Sequence, residues 1–214
     1  MDRIPHVFTI SEVVQKTLYD NYGVESTVVC NGIVTSCFVS RPKTMPKGQL
    51  RVVMVSRLEH DKKGQDLLIR AAAALQGTVT VDFIGIGSSM EYLKQLTAEL
   101  HAETYVRFLG KQTQDYVAAH LTDYDLFVQP SRWEGFGLTV AEAMTQGSRY
   151  GWLFANGDAD DLQRQIVFIK ENYGEAMTKA DEAKDYVRNT YDVSVTARAY
   201  LQEYEKIVCG CSKS

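Results

Sequence analysis

QPSRWEGFGLTVAEAMTQG, residues 129–147, joins a short apolar run to a run of good helix formers through a glycine-rich loop. Residues 125–129 (DLFVQ) suit a buried strand, 130–137 read as a loop, and 138–146 as a helix. Gly135 and Gly137 remove side chains where a ligand would approach the backbone, and the first N–H groups of the following helix lack intrahelical partners. That end of a helix favours an anion. Thr139, in the first turn, adds a hydroxyl donor, and Glu142 lies about one turn deeper, placed to accept hydrogen bonds from a ribose diol. Glu134, on the loop, faces whatever lies beyond the phosphates. Each residue taken singly has an ordinary loop or helix reading; together they predict a unit that holds a sugar diphosphate.

Outward from this stretch, the chain alternates strand and helix. Strands are predicted at residues 7–10, 27–30, 52–55, 79–84, 105–108 and 126–128, with a short one at 152–154. Helices are predicted at 11–21, 64–75, 90–100, 114–121 and 138–146, followed by a helical tail at 160–171, 175–189 and 193–208. This order implies an α/β fold with a doubly wound parallel sheet, Rossmann-like, and a helical C-terminal tail. The linker-like stretch is 40–48, with Pro42, Pro46 and Gly48.

A second charged cluster lies where a strand should end. Arg57 and Lys63 stand six residues apart in RVVMVSRLEHDKKGQDLLIRAAAAL, residues 51–75. Open α/β sheets bind ligands at the carboxyl ends of their strands, and a guanidinium fork can bridge two phosphate oxygens while an ammonium adds a point charge. The competing reading is a solvated charge run with Glu59 and Asp61, to which Lys62 is assigned. His60, in the same loop, reads as an exposed histidine.

Pro130-Ser131 followed by Glu134 and Glu142 resembles the E-x7-E signature of the retaining, nucleotide-sugar-dependent glycosyltransferases of the GT-B fold, group 1 type. Residues 51–75 are similar to that family's strand, G-R-L loop and K-G helix start, with Ser56 in place of the usual glycine; residues 79–96, 105–117 and 150–162 match further blocks in order. The resemblance implies a donor-binding carboxyl-terminal domain at 51–208, preceded by a remnant of an amino-terminal acceptor domain (1–33) and a linker (34–50), and followed by a short tail at 209–214. It implies that Arg57 and Lys63 hold the diphosphate of a UDP- or GDP-linked sugar and stabilise the leaving group. Phe136 and the backbone around Gly137, Leu138 and Thr139 assist, and Glu142 grips the ribose. Glu134 contacts the donor sugar near the reacting carbon, and the base lies against Phe108, Leu109, Gly110 and Lys111. Arg57, Lys63 and Glu134 are thus the expected catalytic groups, with no metal and no cofactor beyond the nucleotide-sugar substrate.

The same resemblance implies retention of anomeric configuration and a place in bacterial polysaccharide or glycolipid synthesis. The acceptor domain is expected to be absent, so that this chain alone is catalytically incomplete. A cytoplasmic protein is expected, peripheral to a membrane through the absent domain, and the uncovered strands at 7–10 and 27–30 predict either self-association through residues 1–33 or local disorder there. Because Gly147 and Tyr150 nearly abut where the family carries a strand and turn, about twenty residues are expected to be missing between Gly147 and Ser148.

Composition agrees with a globular α/β domain. A hydrophobic content of 45% over 214 residues supports a proper core, and a net charge of −4 supplies no basic field for nucleic acid. No apolar run approaches a membrane span. Cys30, Cys37, Cys209 and Cys211 match neither zinc ligation nor a C-x-x-C redox pair, and the histidines form no metal-binding pair. Two D-x-D pairs, at Asp123/Asp125 and Asp158/Asp160, resemble a metal-binding signature, but the first abuts a strand and the second reads as a helix N-cap. Gly85-Ile86-Gly87 lacks the third glycine of a dinucleotide fingerprint, Met90 standing in its place, and reads as a tight turn at the cleft mouth. Two other functions stay open at this point: a non-enzymatic nucleotide-sugar-binding module, and a nucleotide-sugar epimerase of related fold.

Overall fold

The computed structural model describes residues 6–38, 46–133 and 152–211, with Val140 between. Its centre is a four-stranded parallel sheet of order β5-β4-β3-β6, made from β3 (Leu50–Val55), β4 (Val79–Ile84), β5 (Val106–Phe108) and β6 (Leu126–Phe127). Val53 of β3 aligns with Asp82 of β4 and with Phe127 of β6, and Asp82 aligns in turn with Arg107 of β5. Because side chains alternate across a strand, Val52, Met54, Val81 and Phe83 enter one core and Val53 and Ile84 the other.

The first core is closed by α3 (Gln65–Ala74), α4 (Met90–Glu99) and α6 (Ala159–Glu171), through Leu67, Leu68, Leu93, Leu96, Leu162 and Ile166. On the opposite face, α5 (Gln114–His120) brings Val117 against Val53 and Ile84. Helices on both faces explain why these strands are apolar runs rather than alternating ones. Asp82, 2% exposed, is the polar exception on the second face. It accepts from Arg107 Nε and Nη2, each at 2.7 Å, and from the Tyr124 hydroxyl at 2.7 Å. Burial first and this carboxylate second hold the Tyr124 phenol protonated well above its ordinary range.

The amino-terminal residues form a separate β-α-β unit: β1 (Phe8–Thr9) pairs in parallel with β2 (Thr27–Val28) across α1 (Glu12–Tyr22). The end of the chain returns to it. After α7 (Tyr173–Tyr191), α8 (Val193–Cys211) sets Tyr200 and Tyr204 edge-on to Phe8, at 5.3 and 6.0 Å between ring centroids. Thr196 Oγ1 donates to the Cys30 carbonyl at 3.1 Å, and Val193 N to the Ile33 carbonyl at 2.9 Å. Asp192, between α7 and α8, accepts from the Thr35 hydroxyl and from Ser194 N.

These bonds to Asp192, the Thr35 hydroxyl first, hold its carboxyl down to about 2, against about 3.9 in an unfolded chain. A depressed folded pKa contributes stability that is present above the unfolded value and is lost as pH falls from about 4 through about 2. The group is largely solvated, so the contribution is at most about 1 kcal/mol. Asp192→Asn should therefore be less stable than wild type near pH 6, with a difference in urea unfolding that shrinks as pH falls below about 4 and vanishes only below about 2; a pH-independent difference would contradict this origin.

The structure departs from the sequence expectations in two places. Residues 152–154 are not a strand. Leu153 is 90% exposed, Phe154 packs on the first core, and Trp152 lies under Lys179 at 5.1 Å. An apolar trio becomes a strand only beside a sheet edge, and none of the described residues pairs with it. The predicted 57–63 loop contains a helical turn, α2 (His60–Lys63). The predicted helical tail is present: α6 completes the first core, and α8 runs to Cys211, past the predicted helix end at 208. The predicted 138–146 helix and the expected gap between Gly147 and Ser148 lie outside the described residues.

Candidate functional site

The chain leaves β3 for β4 and β5 on one side, then crosses through α5 to place β6 on the other side of β3. The sheet therefore changes winding direction between β3 and β6. At such a switch point the loops leaving the two strands diverge and open a crevice beyond their carboxyl ends. Here the loop after β3 carries Arg57 and Lys63, and the loop after β6 carries Gln129 to Trp133. The depression lined by Gln49, Arg51, Thr80, Thr104, Tyr105 and Arg107 lies instead at the amino ends of the strands, the end opposite to where such sheets take ligands.

The β3 loop is built from within. Ser56 N donates to the Ile84 carbonyl at 3.0 Å and Leu58 N to the Ile86 carbonyl at 3.1 Å, laying residues 56–58 against 84–86. This contact explains Gly85 and Gly87, whose added Cβ atoms would stand 1.8 Å from the Ser56 carbonyl oxygen and 2.3 Å from that of Leu58. The motif serves a close backbone approach rather than a turn alone. Gln65, fully buried at the start of α3, donates to Ser56 Oγ at 3.0 Å and to the Arg57 carbonyl at 2.8 Å. Ser56, in the place where the resembled family has glycine, is thus a used acceptor.

Arg57 projects into solvent, its side chain 73% exposed, and donates to Glu59 at 3.2 Å. That bond, with Lys62 adding to it, holds the Glu59 carboxyl below its ordinary range. Lys62 is exposed, as expected of a surface residue. Lys63 is half-buried at the end of α2. His60 is not the exposed loop residue that the sequence suggested. Its side chain is 25% exposed, Ser89 Oγ accepts its main-chain N–H at 3.0 Å and meets its Nδ1 at 2.8 Å, and its ring lies 4.2 Å from that of Tyr92.

At the end of β5, Phe108 stacks on Phe83 at 5.3 Å, Leu109 N donates to the Phe83 carbonyl at 2.9 Å, and the Gly110 carbonyl accepts from Gly85 N at 2.8 Å. Lys111 is exposed beside them. The predicted base-binding run therefore borders the Arg57 loop through Gly85. Glu134, Phe136, Gly137, Leu138, Thr139 and Glu142 lie outside the described residues.

The approach to Glu134 is described, and it is tied to the β3 loop. Arg132 N and Trp133 N both donate to the Lys62 carbonyl, at 2.9 and 3.3 Å. Gly64, at φ +70, brings its Cα so near Pro130 that a Cβ would meet the Pro130 carbonyl oxygen at 2.1 Å. Arg132 and Asp66 form a bidentate pair at 2.9 and 2.8 Å. Sequence reasoning passed over Gln65, Asp66, Ser89 and Arg132. The available signals were a charge inside the quoted loop at Arg132 and an acidic residue, Asp66, in the first turn of the predicted 64–75 helix. Three of the four D-x-D carboxylates are engaged structurally: Asp123 with His120 at 2.9 Å, Asp125 with Arg51 N at 2.8 Å, and Asp158 as the N-cap of α6, accepting from Asp161 N at 2.9 Å. Among the described residues no group of three His, Cys, Asp or Glu could hold a metal ion, and no helix is long and apolar enough to cross a membrane.

The family model for glycosyl transferases group 1 matches residues 38–149, over half of the chain, including every loop just described. The chain belongs to that family. This group 1 glycosyltransferase chain is 28% identical over 153 residues to the GtfA subunit of the UDP-N-acetylglucosamine–peptide N-acetylglucosaminyltransferase of Streptococcus agalactiae, covering 68% of this chain and 29% of the relative. It is 33% identical over 145 residues to the lipopolysaccharide core biosynthesis mannosyltransferase LpsB of Rhizobium meliloti, covering 58% of this chain and 39% of the relative. It thus spans less than half the length of these curated relatives. Among solved structures, it superimposes on sucrose-phosphate synthase from Thermosynechococcus elongatus with a TM-score of 0.85 at 19% identity, covering 95% of this chain and 58% of the other. It superimposes on Anabaena Alr3699/HepE, in complex with UDP and glucose, with a TM-score of 0.84 at 23% identity, covering 94% and 63%. The fold is that of a GT-B glycosyltransferase half.

Proposed function

We propose that this chain is the donor-binding part of a metal-independent, retaining glycosyltransferase, and that it holds a UDP- or GDP-linked sugar in the crevice between β3 and β6. The observation that carries this reading is the pairing of a cationic loop, Arg57 to Lys63, with the loop leading to Glu134 at the sheet's switch point. The family's glycosyltransferases and the UDP held by Anabaena HepE support the ligand class.

The chemistry follows from the charges. As the glycosidic bond breaks, the nucleoside diphosphate gains negative charge, and fixed cations stabilise that charge in the transition state more than in the ground state. Arg57 is already aligned on an anion, Glu59, but in an exposed pair worth about 0–1 kcal/mol. Exchanging Glu59 for a diphosphate therefore costs little and gains bidentate, charge-assisted bonds. Lys63 adds a point charge. Phe108, Leu109, Gly110 and Lys111 border the base. As the family resemblance implies, Phe136 and the backbone of Gly137, Leu138 and Thr139 assist in donor binding, Glu142 grips the ribose and Glu134 contacts the sugar. Glu134 is not assigned as a glycosidase-type nucleophile, because that geometry requires two acids flanking one bond and Glu142 is committed to the ribose.

Residues 1–33 are read as the remnant of an acceptor domain, 34–50 as linker, 51–208 as the donor domain and 209–214 as tail. Calorimetric titration separates the two glutamates: Glu142→Ala should weaken free nucleoside diphosphate by about tenfold, and Glu134→Ala should mainly weaken the intact nucleotide sugar. Equal losses for both ligands in both variants would mean that the roles are not separable. Transfer that stays absent when the amino-terminal half is supplied would favour a binding module.

A further inference from the structure

We propose that Arg132 is a positioning residue for nucleoside diphosphate binding, acting through Lys63; the proposal rests on the donor-site reading above. Arg132 bonds three residues, two through its guanidinium and one through its main chain. Nη1 donates to Asp66 Oδ1 at 2.9 Å and to the His60 carbonyl at 2.7 Å, Nη2 donates to Asp66 Oδ2 at 2.8 Å, and its main-chain N–H reaches the Lys62 carbonyl at 2.9 Å. Two of those acceptors, His60 O and Lys62 O, belong to α2, the four-residue helix that ends in Lys63.

Such a helix does not persist by itself. One turn orders several residues for very few internal bonds, and its last carbonyls have no partners within it. Here the His60 carbonyl accepts from Gly64 N at 2.8 Å and also from the Arg132 guanidinium, and the Lys62 carbonyl accepts from Arg132 N and Trp133 N. Ser89 holds the other end, accepting the His60 N–H at 3.0 Å. Arg132 is in turn fixed by Asp66, which is 7% exposed. Burial works against the Asp66 carboxylate, but the guanidinium outweighs it and holds the carboxyl below its ordinary range. With its charge already met by a carboxylate, Arg132 contributes geometry rather than a third cation.

Arg57 is anchored differently. Its carbonyl is held by Gln65, and its neighbours Ser56 and Leu58 by main-chain bonds to Ile84 and Ile86. Loss of the Arg132 side chain removes its bonds to the His60 carbonyl and Asp66 and leaves the main-chain bonds to Lys62; it should therefore loosen Lys63 and leave Arg57 in place. A residue that merely stabilises the domain would not discriminate between the two.

The test is a double-mutant cycle on the full chain, titrated with UDP and with GDP. Arg132→Met, which keeps the aliphatic stem, should weaken binding about tenfold; the double variant with Lys63→Ala should bind no more weakly than Lys63→Ala alone, while the penalty multiplies with that of Arg57→Ala. Arg132→Lys, which still reaches one carboxylate oxygen, should recover part of the loss and replaces Arg132→Met if the latter fails to fold. Unchanged binding in Arg132→Met, or penalties that multiply on Lys63→Ala as they do on Arg57→Ala, would overturn the proposal. Amide hydrogen exchange gives a reading without nucleotide: residues 60–64 should exchange about tenfold faster in Arg132→Met with β3 and β4 unchanged. Acceleration everywhere, or none at 60–64, would also overturn it. If wild type binds neither nucleotide, the donor-site reading fails and the role of Arg132 in binding falls with it, whatever the exchange result.

Discussion

Gly85→Ala lowers the free energy of unfolding by about 4 kcal/mol or more, a large part of the 5–15 kcal/mol that holds a domain together. Gly85 has φ +145, a conformation in which L side chains are strained by about 1–3 kcal/mol. The added methyl group would also stand 1.8 Å from the Ser56 carbonyl oxygen. That oxygen is backbone and cannot turn aside. Relief requires residues 56–58 to part from 84–86, which breaks the Ser56–Ile84 and Leu58–Ile86 bonds and displaces the Gly110 carbonyl from Gly85 N. Urea unfolding measures the effect, with Gly48→Ala as the control because its Cβ would meet nothing within 4 Å. A Gly85→Ala variant within about 1 kcal/mol of wild type would show that the β3 loop is not packed as described. Any such variant that still folds should also bind nucleotide more weakly, since the displaced loop carries Arg57.

Arg57→Ala and Lys63→Ala each weaken nucleoside diphosphate binding by about ten- to a hundredfold, the equivalent of 1.5–3 kcal/mol for a lost charge-assisted contact. Neither change should cost much stability. Arg57 is 73% exposed and its ion pair with Glu59 lies in solvent. Binding and folding are therefore separable at this position, in contrast to Gly85. Titration of each variant with UDP and GDP, beside its urea midpoint, checks both halves of the statement. An Arg57→Ala variant that binds as wild type would remove the guanidinium from the site.

The strand–helix alternation and the carboxyl-end placement of Arg57 were legible because both rest on local pattern: apolar runs four to six residues long, followed by polar loops and helix formers. The position of β6 beside β3 was not, since sheet order depends on which edge the chain returns to after α5. The turn α2 escaped notice for a related reason. HDKK has no apolar period, and its helical form comes from partners distant in sequence, Ser89 and Arg132. His60 was misjudged on the same account, its neighbours Ser89 and Tyr92 being visible only after folding. Trp152, Leu153 and Phe154 erred in the other direction, an apolar trio with strand composition and no strand beside it among the described residues. The return of α8 to Phe8 joins the two ends of the chain, a contact that no local pattern announces.

The central claim is that the crevice between β3 and β6 binds a nucleoside diphosphate through fixed cations rather than through a metal ion. Calorimetric titration of the wild-type chain with UDP and with GDP, in the presence and absence of a chelator, tests it most directly. The account predicts saturable one-to-one binding of one of the two, unchanged by chelator and lost in the Arg57→Ala/Lys63→Ala double variant. Binding that the chelator abolishes, or that the double variant retains, would contradict it.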